Sequence, residues 1–430
     1  MKILLETETG LLDVTDRMPL IYGAGEGFMS LHWEILNRAH FVVDDNPARQ
    51  DTLVTVCGRE LEILSPERLA KFDPETVYII IPAGNDKYIA EMKAQIACIS
   101  GEDGIPVTVR NDNVSVRYAS LDEFFAYDLH FRKRLDRWIP AAGQWEYLEK
   151  CRRILAQTCD KPIVWVASTV DGTGCDFFVG TARGEYVMKL PKHYPEHPDR
   201  SKEILRIKRE YGLEQSLTIY EDEEGFCVQR RADGVPDFRA DETVRQVLRK
   251  FRMLHTMGGQ IDRELSAPEK YHEMLSVARA GASREQRDLL DTVTERLGSA
   301  LELCGLETER RLCHGDLYYG NVLYLEGEPI VIDWETMTMT DPLYDVCYFL
   351  CSIPREPGVL YRELKSYLSC YWDRACTEDE FRRARAMLAV CGSVQLCHFY
   401  HHTHRNLCAW TQTGEDRTAA RAFRLLELFA

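Results

Sequence analysis

The stretch HGDLYYGNVLYLEGEPIVIDWE, residues 314–335, has a polar beginning followed by two apolar runs. The pattern from residue 321 onward predicts a β-hairpin with its turn at Glu326 and Gly327. Such a hairpin brings Asp333 back beside Asn321, which follows another carboxylate, Asp316, by five residues. The alternative is a polar hairpin with incidental acidic residues, and the segments upstream bear on the choice.

Three antiparallel strands are predicted over residues 164–191, upstream of that hairpin. The first turn supplies Gly172 and Gly174, and the third strand ends in Lys189. A glycine-containing turn lets backbone N–H groups approach the phosphates of ATP, and a lysine on the third strand can neutralise them. Such a lysine needs a carboxylate to hold it, and Glu210 on the following predicted helix is the candidate.

The next two segments continue the same order of elements. Residues 225–234 read as a strand running into a linker, where adenine could meet backbone groups, and we place ATP contacts at Gln229 and Arg231. Residues 241–259 read as an amphipathic helix in which His255 is expected to pack or cap. Its apolar face consists of Val244, Val247, Leu248, Phe251 and Leu254.

These upstream segments allow chemical roles to be assigned to the polar residues of the hairpin stretch. Magnesium prefers oxygen ligands, and Asn321 with Asp333 can supply them. Asp316 is then left to accept or orient the proton of an attacking hydroxyl. Because Lys189 and Glu210 stand upstream in the right order, the sequence predicts phosphoryl transfer rather than an incidental polar hairpin.

The pattern H-G-D-x-x-x-x-N, followed by I-D-W-E and D-P-L-Y-D, resembles the aminoglycoside phosphotransferase and choline kinase superfamily. The resemblance covers about residues 150–430. It is closest to bacterial choline kinases of surface-polysaccharide modification, through YVMKLP, KREYGLE, LRKFRMLHTMG and IDWETMTMTDPLYD. It implies an α+β protein-kinase-like fold, with an N-lobe over 141–235 and a C-lobe over 236–430. ATP and Mg²⁺ are the cofactors that it implies.

The resemblance also implies a role for individual residues. By the resemblance, Asp316 would be the catalytic base, and Asn321 and Asp333 would be the magnesium ligands. Lys189 and Glu210 would form the phosphate-holding pair. His314 and Asp345 would support the catalytic loop. Asp341, before a proline, is expected to be a turn residue. Gly315 stands where choline kinases commonly have asparagine, which puts choline itself in question.

The phosphate acceptor is predicted from Glu335, directly after Asp-Trp. An acidic residue here is typical of choline-type and thiamine-type kinases, and it favours a cationic amino alcohol such as choline or ethanolamine. An aromatic cage would suit a quaternary ammonium group, and the carboxyl-terminal helices offer Tyr400 and Trp410 for it, although such residues are more often core. The alternatives are a kinase of a sugar, an aminoglycoside or thiamine, and a catalytically inert nucleotide-binding scaffold.

The first 140 residues have a different pattern, in which short β-rich runs alternate with helical stretches. This alternation predicts an α/β domain with a parallel sheet, and residues 18–110 resemble the Rossmann-like domain of several bacterial surface-polysaccharide enzymes. The helical stretches include residues 27–38 and 65–72, the second opening with Ser65 as N-cap. A nucleotide or nucleotide-sugar site is a candidate here, and its residues would be Gly23, Gly25, Gly27 and Asp44, at positions typical of a dinucleotide-binding turn. The same glycines could simply form a tight turn that binds nothing.

Composition limits the remaining possibilities. The 53 basic and 69 acidic side chains give a net charge of −16, which argues against a nucleic-acid partner. The amino terminus does not read as a signal peptide, and the apolar runs are too short to enter a membrane. The fifteen scattered cysteines, an odd number, suggest free thiols and a cytoplasmic location.

Overall fold

A computed structural model of the chain describes most residues between 2 and 403. The described ranges are 2–7, 10–23, 33–56, 59–82, 86–100, 104–109, 114–159, 161–168, 175–191, 200–280, 284–305 and 309–403. The chain divides into two compact units, one of residues 1–198 and 218–231, the other of residues 199–217 and 232–430. The finer division at residues 140 and 235 stays a prediction.

The first unit begins with a mainly parallel sheet. Its first elements are β1 (Lys2–Thr7), β2 (Gly10–Asp13), β3 (Met18–Tyr22), α1 (Trp33–Arg38), β4 (Phe41–Val43), β5 (Leu53–Val56), β6 (Arg59–Leu64), β7 (Val77–Ile81), α2 (Asp86–Ser100), β8 (Val107–Val109) and β9 (Val114–Arg117). Five strands run parallel in the order β6-β4-β3-β7-β8, and β5 lies antiparallel at the β6 edge. The parallel sheet predicted for this part of the chain is therefore confirmed.

Strand order across this sheet reverses between β3 and β7. The chain moves outward from β3 to β4 and β6, and then returns to the other side of β3 for β7 and β8. All five residues of β7 are buried, as the continuous apolar run VYIII predicts. Separately, β1 pairs antiparallel with β2 and β9.

One helix prediction in this part needs correction, and another is confirmed over the residues that the structure describes. Residues Pro66–Lys71 form a 3-10 helix rather than an α-helix, and Ser65 makes no side-chain capping bond. The bonds that close this segment run over three residues, from Arg68 N to Ser65 O and from Phe72 N to Leu69 O, and so short a segment rarely stabilises α-helical turns. Of the helix predicted over 27–38, Trp33–Arg38 is helical, and 27–32 lies outside the described residues.

An antiparallel sheet completes the first unit. Its elements are α3 (Leu121–Tyr127), α4 (Leu129–Trp138), α5 (Ala141–Thr158), β10 (Ile163–Ser168), β11 (Phe177–Thr181), β12 (Glu185–Lys189), β13 (Thr218–Glu221) and β14 (Cys227–Arg230). The strand order is β10-β11-β12-β14-β13, which confirms the three consecutive antiparallel strands and the strand predicted within 225–234. Phe124, Phe125, Phe131 and Phe177 pack ring against ring in its core.

The second unit is mainly helical. Its elements are α6 (Arg200–Tyr211), α7 (Asp241–His255), α8 (Ala267–Ala280), α9 (Arg284–Arg296), α10 (Gly298–Cys304), β15 (Arg311–Cys313), β16 (Val322–Leu325), β17 (Glu328–Val331), β18 (Thr338–Thr340), α11 (Pro342–Ser352), α12 (Pro357–Trp372) and α13 (Glu378–Thr403). β16 and β17 form the predicted hairpin, and β15 pairs with β18. The predicted apolar face of α7 is buried at all five positions.

The core of the second unit surrounds α11. Ten of its eleven residues are buried, and α7, α12 and α13 contribute to the same hydrophobic cluster. A helix enclosed in this way is a rigid support for the segments that contact it. In the described part of the chain, no helix is long and apolar enough to span a membrane.

Candidate active site

The loop between β15 and β16 is held by one buried carboxylate. Asp345, from α11, is 0% exposed. Its Oδ2 accepts the backbone N–H of His314 at 2.6 Å, and its Oδ1 accepts that of Gly315 at 2.9 Å. The beginning of the HGDLYYGN loop is therefore fixed to a helix that is almost entirely buried.

Asp345 is itself part of a buried network. His255 Nε2 lies 3.1 Å from Asp345 Oδ2, and His255 Nδ1 lies 2.8 Å from the hydroxyl of Tyr371. Burial alone would raise the pKa of Asp345, but the hydrogen bonds from His255 and from the Gly315 N–H lower it below its usual value. His255 was expected to pack or cap, and in the structure it is buried and also connects Asp345 to Tyr371 by hydrogen bonds.

The Cys313 thiol lies close enough to this network to suggest a metal site. One ligand atom each of His255, Cys313 and Asp345 lie within 4.8 Å of one another. Burial raises the pKa of the Cys313 thiol well above its usual value, and the thiol donates to the carbonyl oxygen of Thr340 at 3.6 Å. The imidazole and carboxylate already share hydrogen bonds, so we interpret the cluster as structural.

Gly315 is required by the backbone at this point. Its φ of +82° lies in the left-handed region, and a Cβ there would overlap the carbonyl oxygen of Thr336. Thr336 cannot move freely, since its hydroxyl donates to the carbonyl of His314 at 2.9 Å. The glycine at this position therefore has a local steric reason.

His314 joins the loop to the hairpin. Its Nε2 lies 2.8 Å from the carbonyl oxygen of Ile332, and its Nδ1 lies 3.3 Å from the backbone N of Asp316. A carbonyl only accepts and a backbone N–H only donates, so Nε2 carries the proton and Nδ1 does not. The ring also packs against Trp334, with 4.9 Å between centroids.

Asp316 and Asn321 are linked within the loop. Asn321 Nδ2 donates to the backbone carbonyl of Asp316 at 2.9 Å, which leaves the carboxamide oxygen directed away from that bond. The Asp316 side chain is half-buried, whereas Asn321 is buried. Downstream, the Tyr319 N–H donates to the Ser352 hydroxyl of α11 at 2.8 Å. The loop is thus attached to α11 at two points, at its beginning and at Tyr319.

Asp333 lies beside Asn321 at the open end of the hairpin. Val322 pairs with Val331, and the N–H of Ile332 donates to the Asn321 carbonyl at 3.0 Å. Asp333 has left-handed backbone angles, φ 66° and ψ 53°, and its carboxylate is exposed. The hairpin therefore brings together the two residues predicted as metal ligands.

A residue that the sequence reasoning missed holds Asp333. Glu214, only 4% exposed, accepts the backbone N–H of Asp333 at 2.9 Å through Oε1. Its Oε2 forms an ion pair with Lys208 of α6 at 2.9 Å. Glu214 follows α6 and has a positive φ of 57°. No pattern in the sequence distinguishes it from Glu210, the other acidic residue of KREYGLE.

Asn321 and Asp333 fit a magnesium ion by the chemistry of their donors. One offers a carboxamide oxygen and the other a carboxylate, which are ligands that Mg²⁺ prefers. Among the described residues the Asp333 carboxylate forms no ion pair, so its charge is available to a cation. We conclude that these two residues could hold the ion.

The other predicted site residues of the first unit occupy its antiparallel sheet. Lys189 ends β12 and pairs in register with Cys227. Gln229 of β14 is buried and donates to the Thr218 hydroxyl at 3.4 Å. Arg231 forms an ion pair with Glu185. Gly172 and Gly174 lie outside the described residues.

In the second unit, three further predicted residues can be located. Glu210 is exposed in the last turn of α6 and forms an ion pair with Arg206 at 2.8 Å. Glu335 is half-buried in the short 3-10 helix after Asp333. Asp341 caps the amino terminus of α11, accepting the Leu343 N–H at 2.9 Å, which corrects the expectation of a simple turn residue. The Tyr400 side chain and Trp410 lie outside the described residues.

The residues proposed for an amino-terminal nucleotide site are described only in part. Gly23 follows β3 with a φ of +110°. Asp44, after β4, is 5% exposed, accepts the Asn46 N–H at 2.9 Å and lies 3.4 Å from Arg49 Nη1. Gly25 and Gly27 lie outside the described residues.

Residues 173–379 match the model of the phosphotransferase enzyme family. This segment includes four of the five strands of the antiparallel sheet, the HGDLYYGN loop, the hairpin and α11. The chain therefore contains a domain of the phosphotransferase enzyme family. No curated protein matches it.

Several solved structures are similar to the chain. Choline kinase LicA from Streptococcus pneumoniae is 18% identical over 65% of this chain and 99% of its own, with a TM-score of 0.46. A choline/ethanolamine kinase family protein from Mesorhizobium loti is 17% identical over 58% and 85%, with a TM-score of 0.44. A Plasmodium vivax ethanolamine kinase is 12% identical over 70% and 93%, with a TM-score of 0.46. Similarity at this distance does not identify an acceptor.

Proposed function

We propose that the protein is an ATP-dependent kinase that transfers the γ-phosphate to a hydroxyl of a small amino alcohol, with choline or ethanolamine favoured. The observation that carries the proposal is the grouping of Asp316, Asn321 and Asp333 on one loop and hairpin of a phosphotransferase-family domain. A base beside two oxygen ligands is what phosphoryl transfer to a hydroxyl requires.

In this proposal Asp316 accepts or orients the proton of the acceptor hydroxyl. Magnesium, held by Asn321 and Asp333, would neutralise charge on the phosphates of ATP. Lys189 and Glu210 keep the phosphate-holding roles that their motifs imply. Gly172, Gly174, Gln229 and Arg231 remain the proposed contacts of the nucleotide.

The preference for a cationic acceptor rests on two features of the second unit. Glu335 lies two residues after Asp333 and is half-buried, where a carboxylate can attract an ammonium group. Tyr318, two residues after Asp316, is 41% exposed. An exposed phenol ring next to the base could stack on a quaternary ammonium group. Tyr400 and Trp410 stay candidates for the same cage.

The acceptor can be identified by phosphorus NMR with Mg-ATP and choline, ethanolamine, thiamine, an aminoglycoside and several sugars, each in a separate sample. We expect a phosphomonoester signal with choline or ethanolamine. A signal only with a sugar or an aminoglycoside would contradict the amino-alcohol proposal and favour a kinase of that acceptor. Magnesium-dependent ATP binding with no product from any acceptor would favour the inert scaffold.

Replacing Glu335 with glutamine tests the cationic pocket directly. We expect KM for a cationic acceptor to rise about tenfold, because loss of one charge–charge contact near the surface costs at least about 1.4 kcal/mol. KM for ATP should stay within twofold. Glu326→Gln, at the exposed hairpin turn, is the matched control. Equal KM values for the two variants would contradict the assignment of Glu335.

For the amino-terminal sheet we propose a nucleotide or nucleotide-sugar ligand. The reversal of strand order between β3 and β7 favours it, since ligands of parallel sheets bind outside the carboxyl ends of strands at such a point. Asp44 lies after β4, where an acidic side chain can bind ribose hydroxyls. Because Arg49 already pairs with the Asp44 carboxylate, a ribose would have to bind that carboxylate together with Arg49. Calorimetry with NAD⁺ and with UDP-glucose should show binding that Asp44→Ala weakens at least tenfold. Absence of heat with both ligands would count against the site.

A further inference from the structure

Helix α11 presents one face to the catalytic loop. Asp345 and Ser352, seven residues apart, lie on the same face of a helix because seven residues make nearly two turns. Asp345 binds the beginning of the loop, at His314 and Gly315, and Ser352 binds Tyr319 further along. Any residue between them on that face must lie opposite the middle of the loop.

Tyr348 and Phe349 both occupy this stretch of the face, and the Phe349 ring packs against Phe238 and Phe251. Tyr348, three positions after Asp345 and four before Ser352, is the one of the two that carries a polar group. It is 4% exposed, so its hydroxyl lies in the interior rather than in solvent. Burial raises the pKa of the Tyr348 hydroxyl well above its usual value, and the charge of Asp316 and a hydrogen bond with its carboxylate add to the effect. The phenol is therefore protonated and acts as a donor towards Asp316.

A second tyrosine on α11 provides an internal comparison. Tyr344 stacks on Tyr348, with 5.7 Å between centroids and 20° between ring planes. It is just as buried, at 1% exposed. Its hydroxyl has no hydrogen-bond partner in the part of the chain that the structure describes. Two adjacent, buried phenols thus differ in whether the hydroxyl is bonded to the loop.

We propose that Tyr348 is a positioning residue for the catalytic base, donating a hydrogen bond from its hydroxyl to the Asp316 carboxylate. The bond fixes the rotamer of Asp316 and occupies one of its oxygens, so that the other is directed to the acceptor. This inference rests on the proposed kinase function. During transfer the proton of the acceptor hydroxyl passes to Asp316, and Tyr348 keeps its own proton.

A sharp test removes only the hydroxyl, with Tyr348→Phe. The ring and its packing remain, so the fold should be retained. We expect kcat to fall about tenfold, the loss of one hydrogen bond to a charged group. KM for ATP and for the acceptor should stay within twofold, because the hydroxyl contacts neither. Tyr344→Phe is the matched control and should retain the wild-type kcat. A Tyr348→Phe enzyme with the kcat of the Tyr344→Phe enzyme would overturn the proposal.

A second measurement needs no substrate and therefore separates failure of this proposal from failure of the kinase function. The melting temperatures of Tyr348→Phe, Asp316→Ala and the double variant form a cycle. If the two side chains are bonded, the shift of the double variant differs from the sum of the single shifts. Additive shifts would show that they do not interact. The same cycle with Tyr344→Phe in place of Tyr348→Phe should be additive.

Discussion

Replacing Asp316 with alanine is expected to lower kcat by about 10²–10⁴-fold, the usual contribution of a general base. Binding of Mg-ATP should persist. The reason is that Asn321 is held by the backbone carbonyl of Asp316 rather than by its side chain, and the alanine variant keeps that carbonyl. Turnover of the identified acceptor measures the first effect, and calorimetric titration with Mg-ATP measures the second.

Asp316→Asn is the isosteric companion to this variant. It keeps the shape of the side chain and can still accept from Tyr348, but it cannot take up the acceptor's proton. We therefore expect it to lose nearly as much kcat as the alanine variant. Either variant with unimpaired turnover would remove Asp316 from the reaction. Loss of Mg-ATP binding in both would instead show that Asp316 contributes to holding the metal.

The catalytic hairpin could be predicted because the residues that determine it lie close together in the sequence. Glu326 and Gly327 specify the turn, and the apolar runs on either side specify the strands. Once the turn is fixed, the pairing of Val322 with Val331 follows, and it places Asn321 beside Asp333. The α7 face was predictable for a similar reason, since its apolar residues recur with the period of a helix.

The supports of the site could not be predicted in the same way. The Glu214 carboxylate meets the backbone of Asp333 across 119 residues, and His255 meets Asp345 across 90. No local periodicity encodes such pairs. For Tyr348 a local signal did exist in its spacing of three from Asp345 and four from Ser352. This spacing is informative only when Asp345 and Ser352 are both known to bind the loop.

Replacing Asp345 with asparagine should be the most destabilising single change in the second unit that we predict. The two N–H groups of His314 and Gly315 need two acceptor oxygens, and a carboxamide offers one. The other N–H would be left buried against an NH₂ group. An unsatisfied buried donor beside a lost charge interaction costs about 3 kcal/mol. In a domain of 150–250 residues this lowers Tm by roughly 6–12 °C.

The pH dependence of this loss has a definite sign. The pKa of Asp345 is lower in the folded protein than its ordinary value of 3.8. Its ionised form therefore stabilises the fold at any pH above that value, and this stability is lost as pH falls through the folded-state pKa. The variant has no carboxyl to titrate, so the Tm difference between wild type and variant should be constant above about pH 5 and shrink below pH 4.

Thermal unfolding at pH 7, 5, 4 and 3 measures both effects. Asp379→Asn is the control, because this residue lies in the first turn of α13 with its side chain 83% exposed, paired only with Arg382 in the described structure. Its Tm should stay close to that of the wild type, as expected of a surface substitution. If Asp345→Asn behaved like this control at pH 7, the carboxylate would not hold the catalytic loop. If its Tm deficit stayed constant down to pH 3, the stabilisation would come from packing rather than from the ionised group.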